Sequence, residues 1–306
     1  MRYGFVLPQV GPMAGPEALI TVARRAEELG YDSLWVTERL LFPLCPRSDY
    51  PPSADGSLPA PYQTVLDPLT TLAFVAAHTE RVRLGTSVLD MPYYNPVLLA
   101  RQLTAIDVLS QGRLDVGLGQ GWSADEFEAA GAALPGRGRR ADEFIQVLKA
   151  IWTNDQVEFE GEHFRIARSI IGPKPVQKPH PPLYFAAYTP GAMRRAAEAG
   201  NGWNPAGIPV EPMRRMLSAI RATAREAGRA HEDVELLVRA NCHLTDEPEP
   251  DGRAIFAGTI DQLVDDTKAV EALGAAEAFF DVQYSPNVNT TGDVVERMER
   301  IWLALH

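Results

Sequence analysis

The 306 residues predict an α/β chain folded as a single (β/α)8 TIM barrel over residues 1–306, and three observations lead there. The first is alternation: short apolar runs recur between segments whose apolar residues return at helical spacing, the pattern of parallel strands joined by right-handed crossovers. The second is the count, since eight such units close a barrel and the length suits one of ordinary size with insertions. The third is the run Leu103 to Gly121, LTAIDVLSQGRLDVGLGQG, which reads as a helix, a glycine stop and a buried strand opening into glycines. Gly117, Gly119 and Gly121 fall at the strand's C-terminal end, where barrels place their sites, and are expected to let backbone approach a ligand.

In chain order, Tyr3 to Leu7 is the first strand, turned by Pro8 and Gly11, and Leu19, Val22, Ala23, Ala26 and Leu29 mark a helix face that ends at Gly30. Asp32 to Thr37 is the second strand. Leu69, Leu72, Ala73 and Ala76 give the next helix, Val82 to Leu89 the third strand and Val97 to Leu109 the third helix. Leu114 to Leu118 is the fourth strand, followed by a helix from Arg140 to Trp152 with Ile145, Leu148 and Trp152 on one face. The second half supplies strand Leu183 to Ala187, helix Ala192 to Ala199, strand Gly202 to Asn204, helix Pro212 to Ala227 and strand Val234 to Val238. Helix Ile260 to Leu273, strand Ala276 to Val282 and helix Val294 to Leu305 complete the eight.

Two segments break the alternation. Arg39 to Leu66 is proline-dense and far longer than the roughly 4–6 residues usual for a connection. It leaves the C-terminal end of the second strand, so it is expected to cover the barrel mouth as a lid. Gln156 to Pro182, after the fourth helix, contains a β-hairpin, VEFEGEHFRI, turning at Gly161.

Composition narrows the chemistry. A net charge of −11 without basic clusters interleaved with aromatics argues against a nucleic-acid partner. No apolar run approaches the ~20 residues of a membrane span, and the apolar start is broken by Pro8, so a cytoplasmic protein without signal peptide is expected and the sequon at Asn289 has no consequence. Cys45 and Cys242 offer neither a disulfide framework nor CxxC spacing. Of the six histidines only His243 falls near a strand end, so no metal site is expected. GLGQG has the wrong spacing for a dinucleotide fingerprint, and no Walker loop, GxSxG elbow or HExxH helix occurs.

The remaining motifs match a family. YGFVLP (Tyr3 to Pro8), GYDSLWVTE (Gly30 to Glu38), LGTSVL (Leu84 to Leu89), NPVLLARQLTAIDVLSQGRLDVGLGQGW (Asn95 to Trp122), GRGRRADEFIQVLKAIWT (Gly136 to Thr153), FEGEHF (Phe159 to Phe164), PKPVQKPHPP (Pro173 to Pro182) and GNGW (Gly200 to Trp203) together resemble the bacterial luciferase-like oxidoreductases. Within them the chain is similar to the branch that uses the deazaflavin coenzyme F420, nearly end to end, and the lid run YPPSADGSLP resembles one sub-branch. The resemblance implies a flavin or deazaflavin at the barrel mouth, hydride transfer to or from a small organic substrate, a non-proline cis peptide at Ser87–Val88, and a homodimer formed through helices two and three. An FMN-dependent two-component monooxygenase of the luciferase or alkanesulfonate type, fed by a separate cofactor reductase, is the alternative. A flavin-binding protein without turnover is a third reading.

For the cofactor, Leu7, Val36, Val88 and Leu118 at strand ends are expected to form a flat floor under the ring, with Ser87 and Ala187 beside it. The phosphate needs backbone donors and hydroxyls. Gly119, Gln120, Gly121 and Trp122, ahead of a helix start at Ser123, and Tyr188 with Thr189, ahead of the helix from Ala192, are the two candidate cradles. Ser123 and Thr189 equally suit plain helix capping. Glu38 and Arg39 are the catalytic candidates, placed under the lid where many relatives carry an acid followed by histidine. Arginine stays protonated, so Arg39 suits an anionic substrate or the charge of the reduced cofactor, and the proton role falls to Glu38. A structural ion pair involving either residue competes with that role. Tyr93, Trp203, Asn204 and His243 are the substrate candidates, Trp122 also faces the pocket, and Trp35, Trp152 and Trp302 are assigned to the core.

Overall fold

Eight parallel strands close on one another in chain order: β1 (Arg2–Val6), β2 (Ser33–Val36), β3 (Arg83–Thr86), β4 (Leu114–Gly119), β5 (Leu183–Phe185), β6 (Gly202–Trp203), β7 (Glu235–Asn241) and β8 (Glu277–Asp281). The ring is sealed where β8 returns to β1, with Arg2 opposite Glu277 and Phe5 opposite Phe280. The computed structural model describes residues 1–51, 53 and 55–306; Pro52 and Ala54 of the lid run lie outside the described residues. Helices α1 (Pro16–Leu29), α2 (Pro68–Ala76) and α3 (Pro96–Leu109) follow the first three strands. A short α4 (Ala124–Ala129) sits at the mouth, and α5 (Arg137–Thr153), α6 (Pro190–Ala199), α7 (Val210–Glu226), α8 (Ile260–Glu271) and α9 (Thr291–Leu305) complete the outer layer. Among the described residues no helix is long and apolar enough to cross a membrane.

Local chemistry sets these boundaries. α3 begins where the Asn95 side chain accepts the N–H groups of Val97 and Leu98, with Pro96 at the first position, where its missing N–H costs nothing. α8 and α9 start in capping boxes built by Thr259 with Gln262 and Thr290 with Asp293. α1 stops because Gly30 takes a left-handed conformation, φ 105°, that other residues rarely adopt.

The lower barrel is filled by a complete polar layer around Trp35, whose ring stacks on Phe279 at 4.4 Å between centroids. Glu277 accepts the Ser33 hydroxyl at 2.5 Å, the Trp35 Nε1–H at 2.8 Å and the Arg2 Nε–H at 3.1 Å. Arg83 grips Asp115 through Nε (2.6 Å) and Nη2 (2.5 Å), and the Tyr184 hydroxyl donates to Glu235 at 2.9 Å.

The expected third strand, Val82 to Leu89, is interrupted. Its ladder ends at Thr86, the Ser87–Val88 peptide is cis, and Leu89–Asp90 then re-pairs with Leu118 and Gly119. The glycines of β4 answer that bulge. A Cβ on Gly117 would collide with the Thr86 carbonyl oxygen and one on Gly119 with the Asp90 carboxylate and Val88, so these two serve strand packing where ligand approach was expected.

Both insertions take the expected places. The lid crosses the mouth and is fastened at its return by Gly11 N–H to the Thr64 carbonyl (2.8 Å) and Leu66 N–H to the Gln9 carbonyl (3.0 Å). The hairpin pairs Val157–Glu160 with Arg165–Ser169. Its turn is held by the Glu143 carboxylate of α5, which accepts the N–H groups of Glu162, His163 and Phe164.

Candidate active site

Glu38 follows β2 and turns its carboxylate onto the β3 bulge. Oε2 accepts the Asp90 N–H at 2.5 Å, and Oε1 accepts the Tyr94 hydroxyl. Although part of the residue reaches the surface, desolvation of the carboxyl and, next, the neighbouring Asp90 charge push it up to about 8, against the pull of those two hydrogen bonds. Burial raises Asp90 as well, opposed by the Gly121 N–H at 2.8 Å and by the charge of Arg39. The two carboxyls are close enough to titrate together, and burial favours the protonated form of each.

Arg39 turns the other way. Its Nη1 lies 3.0 Å from Glu126 Oε2 of α4, both side chains are buried, and the guanidinium carbon stands 5.3 Å over the Tyr62 ring and 4.9 Å over Trp122. Glu126 also accepts the N–H of Leu40 (2.7 Å) and the hydroxyl of Tyr93 (3.2 Å). The Arg39 charge is thus matched inside the protein, which corrects the expectation of a cation free to hold an anionic substrate. Around it the lid and rim rings meet: Tyr50 lies 5.5 Å from Trp122 and 5.9 Å from Tyr62, and Tyr62 lies 5.5 Å from Tyr284.

At the opposite rim Arg239 of β7 holds the third-strand bulge. Nη1 donates to the Ser87 carbonyl at 2.8 Å and to the Thr37 hydroxyl at 3.1 Å, and Nη2 donates to Asp281 at 2.6 Å. The Ser87 hydroxyl donates to Asn204 Oδ1 at 2.8 Å, and Asn204 Nδ2 donates to the Leu237 carbonyl at 3.1 Å. Ser87 is therefore fixed by its hydroxyl and its carbonyl, which leaves Val88, partly exposed, as the residue the bulge presents.

Beyond the rim the N-termini of α5 and α6 are clamped together, since Arg195 of α6 donates to the Gly138 carbonyl (2.7 Å) and to Asp142 (2.7 Å) of α5. Gln120 ties the β4 end to the same place through the Arg137 carbonyl at 3.4 Å. Thr189 caps α6 by accepting the Ala192 N–H, and a Cβ on Gly191 would meet nothing within 4 Å, so that helix start is open. Tyr188 is half exposed beside it, its hydroxyl accepting the Ala206 N–H at 3.0 Å. Unpaired N–H groups at two helix starts, with Arg137 and Arg139 in the first turn of one, favour an anion.

Several expected site residues are placed elsewhere. Leu7, Ala187 and Trp203 are fully buried, as are Val36 and Leu118 to within 1%, so none of them is a floor open to a ring. The Trp203 Nε1–H is spent on the Ala187 carbonyl at 3.0 Å. Asn204 is buried and positions Ser87 instead of lining a substrate pocket. His243 is exposed on a two-residue ladder with Ala257, outside the barrel. Tyr93 packs edge-on against Phe127 and opens, with Tyr94, Leu98, Arg101 and Gln102, onto an outer cavity of about 510 Å³. Three donors following Gly119 are used internally: Gly121 N–H by Asp90, Ala124 N–H by Ser48 and Glu126 N–H by Ser123. Trp122 belongs to the aromatic group around Arg39. In that cradle the Gly121 donor is taken, while the helix start at Tyr188 and Thr189 stays open, joined by α5.

Sequence reasoning missed Tyr94, Glu126, Arg239, Tyr62 and Tyr284. One signal was legible: Arg239 is a charge within the apolar run ELLVRAN, where a buried cation needs partners.

Comparison with known proteins agrees with this architecture. The model of the luciferase-like monooxygenase family matches residues 1–279. An F420-dependent glucose-6-phosphate dehydrogenase of Amycolatopsis mediterranei is 32% identical over 227 residues, 72% of this chain and 63% of that protein. An FMNH2-dependent dimethylsulfone monooxygenase of Pseudomonas putida is 33% identical over 202 residues, 65% of this chain and 54% of that protein. The crystal structure of monooxygenase RslO1 from Streptomyces bottropensis superposes with a TM-score of 0.82 at 26% identity, covering 100% of this chain and 98% of that one.

Proposed function

The chain belongs to the luciferase-like monooxygenase family, and from that premise we propose an oxidoreductase that moves a hydride between a deazaflavin of the F420 type and a small organic substrate, with Glu38 as proton partner. The observation that carries this reading is the Glu38 carboxyl, raised to about 8 at the mouth beside the Ser87–Val88 bulge. An acid that keeps its proton at neutral pH can deliver it to a substrate oxygen as negative charge develops there, and can take it back in the reverse direction.

The residues present fit such a cofactor. Val88 offers a partly open apolar surface, and the paired N-termini of α5 and α6, with Gln120, Tyr188 and Thr189, would hold an anionic tail. When bound, the deazaflavin supplies or accepts the hydride. Arg239 and Asn204 hold the bulge in place, and Tyr94 holds the Glu38 carboxylate toward it. The exposed Leu98, Val108 and Leu109 of α3 support a homodimer through this helix.

The similarity to an FMNH2-dependent monooxygenase favours a second reading, reduced FMN reacting with oxygen and delivered by a separate reductase. Calorimetric titration of the purified protein with F420 and with FMN separates the two. We expect F420 to bind at least about tenfold more tightly. Tight FMN binding with negligible F420 binding overturns the deazaflavin assignment.

A further inference from the structure

The chain has four lysines, and two of them, Lys149 and Lys178, line one cavity of about 330 Å³ together with Arg229, His180, Glu198 and Asn201. It lies at the end of the barrel opposite the mouth, since its lining residues Pro182 and Asn201 lead directly into β5 and β6. Four parts of the chain meet there: the end of α5, the proline-rich return before β5, the end of α6 and the turn after α7.

The cations around this cavity are anchored but not neutralised. Lys149 Nζ donates to the Ala199 carbonyl at 2.7 Å and Arg229 Nη1 to the Ala197 carbonyl at 2.6 Å, so both cap the C-terminus of α6. Arg229 Nη2 donates to the Asp233 carbonyl at 3.3 Å, and Lys178 Nζ to the Pro175 carbonyl at 2.9 Å. An ammonium or a guanidinium carries more N–H groups than these bonds use. A helix C-terminus offers only about half an elementary charge, too little to match two cations. Among the described residues none of the three forms an ion pair, and the one carboxylate in the wall, Glu198, is taken by Arg194 at 3.1 Å. Burial and then the Arg229 charge hold the Lys149 ammonium below the usual lysine range, and Lys174 adds a further charge near Lys178. Like charges thus gather in a chain whose net charge is −11, an arrangement that an anion relieves. Helix capping accounts for Lys149 and Arg229 alone. Lys178 and His180 line the same cavity from the run KPHPP, whose prolines fix φ and present both side chains on a stiffened backbone.

We propose that this cavity is a second ligand site, separate from the barrel mouth, that takes a small phosphate ester carrying a further anionic group. Lys149 and Arg229, side by side on the α6 C-terminus, hold the phosphate, and Lys178 at the exposed edge meets the second anion. The volume falls at the lower end of the range usual for small-molecule sites and exceeds the need of a bare oxyanion. His180 reports on occupancy. Its Nδ1 lies 2.7 Å from the Pro181 carbonyl and carries the proton, which leaves Nε2 to titrate. Burial, and after it the Lys149 charge, hold this imidazole below its ordinary value, so an anion beside Lys149 raises it.

Calorimetry at about 150 mM salt with 3-phosphoglycerate, inorganic phosphate and uncharged glycerol tests the site. We expect 3-phosphoglycerate to bind with a Kd below about 1 mM and at least about tenfold more tightly than phosphate, with no binding of glycerol. Arg229→Gln should weaken 3-phosphoglycerate about tenfold or more and Lys178→Gln roughly threefold to tenfold. Lys178 is exposed and caps no helix, so its variant reads the site even where Arg229→Gln fails to fold. Arg137→Gln at the mouth should leave this affinity unchanged. In an NMR titration 3-phosphoglycerate should raise the His180 midpoint by roughly half a unit or more. Phosphate binding as tightly as 3-phosphoglycerate overturns the assignment to an ester. Absence of binding, an unmoved His180, or an affinity that falls with Arg137→Gln and not with Lys178→Gln overturns the site. None of these measurements uses a deazaflavin, so their failure leaves the hydride-transfer reading standing, and failure of that reading leaves this site standing.

Discussion

The two ends of the barrel bury similar chemistry and finish it differently. At the bottom, Glu277 is surrounded by Ser33, Trp35 and Arg2, Asp115 by Arg83, and Glu235 by Tyr184. Among the described residues no buried side-chain polar atom there lacks a hydrogen-bond partner, whereas Arg39 Nε, Arg239 Nε and Asn241 Oδ1 do at the mouth. A perturbed acid does not by itself mark a site, because burial and the charge of Asp115 push Glu277 up to about 7, close to the value of about 8 at Glu38. What separates them is completeness. Among the described residues the bottom network leaves no buried side-chain group without a partner and acts as scaffold, whereas the mouth combines a raised acid with unpartnered polar atoms.

The largest expected effect tests that division at Glu38. Glu38→Gln should lower turnover about 10²- to 10⁴-fold, the usual contribution of a positioned acid. In wild-type protein the reductive rate should fall as pH rises through about 8, since the acid form is the working one. Stability moves the same way. A folded value raised above the ordinary carboxylate range gives stability that is full below that range and lost as pH rises toward 8. The glutamine variant should therefore melt near wild type at pH 4 and above it at pH 9. Unchanged turnover with unchanged cofactor binding would remove Glu38 from the mechanism.

The next largest effect belongs to the bottom. Asp115→Ala strands Arg83, and breaking such a pair costs about 3–5 kcal/mol when both partners are deeply buried. The Arg83 side chain is 31% exposed, so solvent reclaims part of that and roughly 2–3 kcal/mol is expected. The melting temperature should fall by about 5 °C or more, with kcat and cofactor affinity of the folded protein unchanged. A large loss of kcat at intact fold would show that the bottom layer is not scaffold alone.

How much of this was readable in the chain follows the same division. The alternation fixed the barrel because apolar periodicity and glycine stops are local, as at Leu19 to Gly30. The six residues of α4 are too few to show a helical period, and the break at Ser87–Val88 lies inside a run, LGTSVL, whose pattern reads as unbroken strand, so only the family resemblance pointed to it. Glu38 and Arg39 were legible as a location because the lid begins there. Their partners were not: Glu126 is 87 positions from Arg39, and Arg239 is 202 from Thr37, contacts created only by barrel closure. Leu7, Ala187 and Trp203 fail for a related reason. An apolar residue at a strand end looks the same in sequence whether it faces a ligand or the helix layer, and the closed barrel decides.

The smallest effect concerns how Glu38 is connected. Tyr94 donates its hydroxyl to the Glu38 carboxylate and also lines the outer cavity of about 510 Å³, so a single side chain spans the space between the mouth and solvent. That hydrogen bond stabilises the ionised carboxylate, so it holds the Glu38 value lower than burial and Asp90 alone would set it. Tyr94→Phe removes it without adding charge. The descending limb of the pH–rate profile should move upward by about one unit or less, with kcat below the limb changed by less than about tenfold. A limb that stays in place would mean that Tyr94 packs against Glu38 without tuning it. A downward shift would mean that Tyr94 is bonded to the protonated acid, and the proton would then be shared along the pair and not held on Glu38 alone.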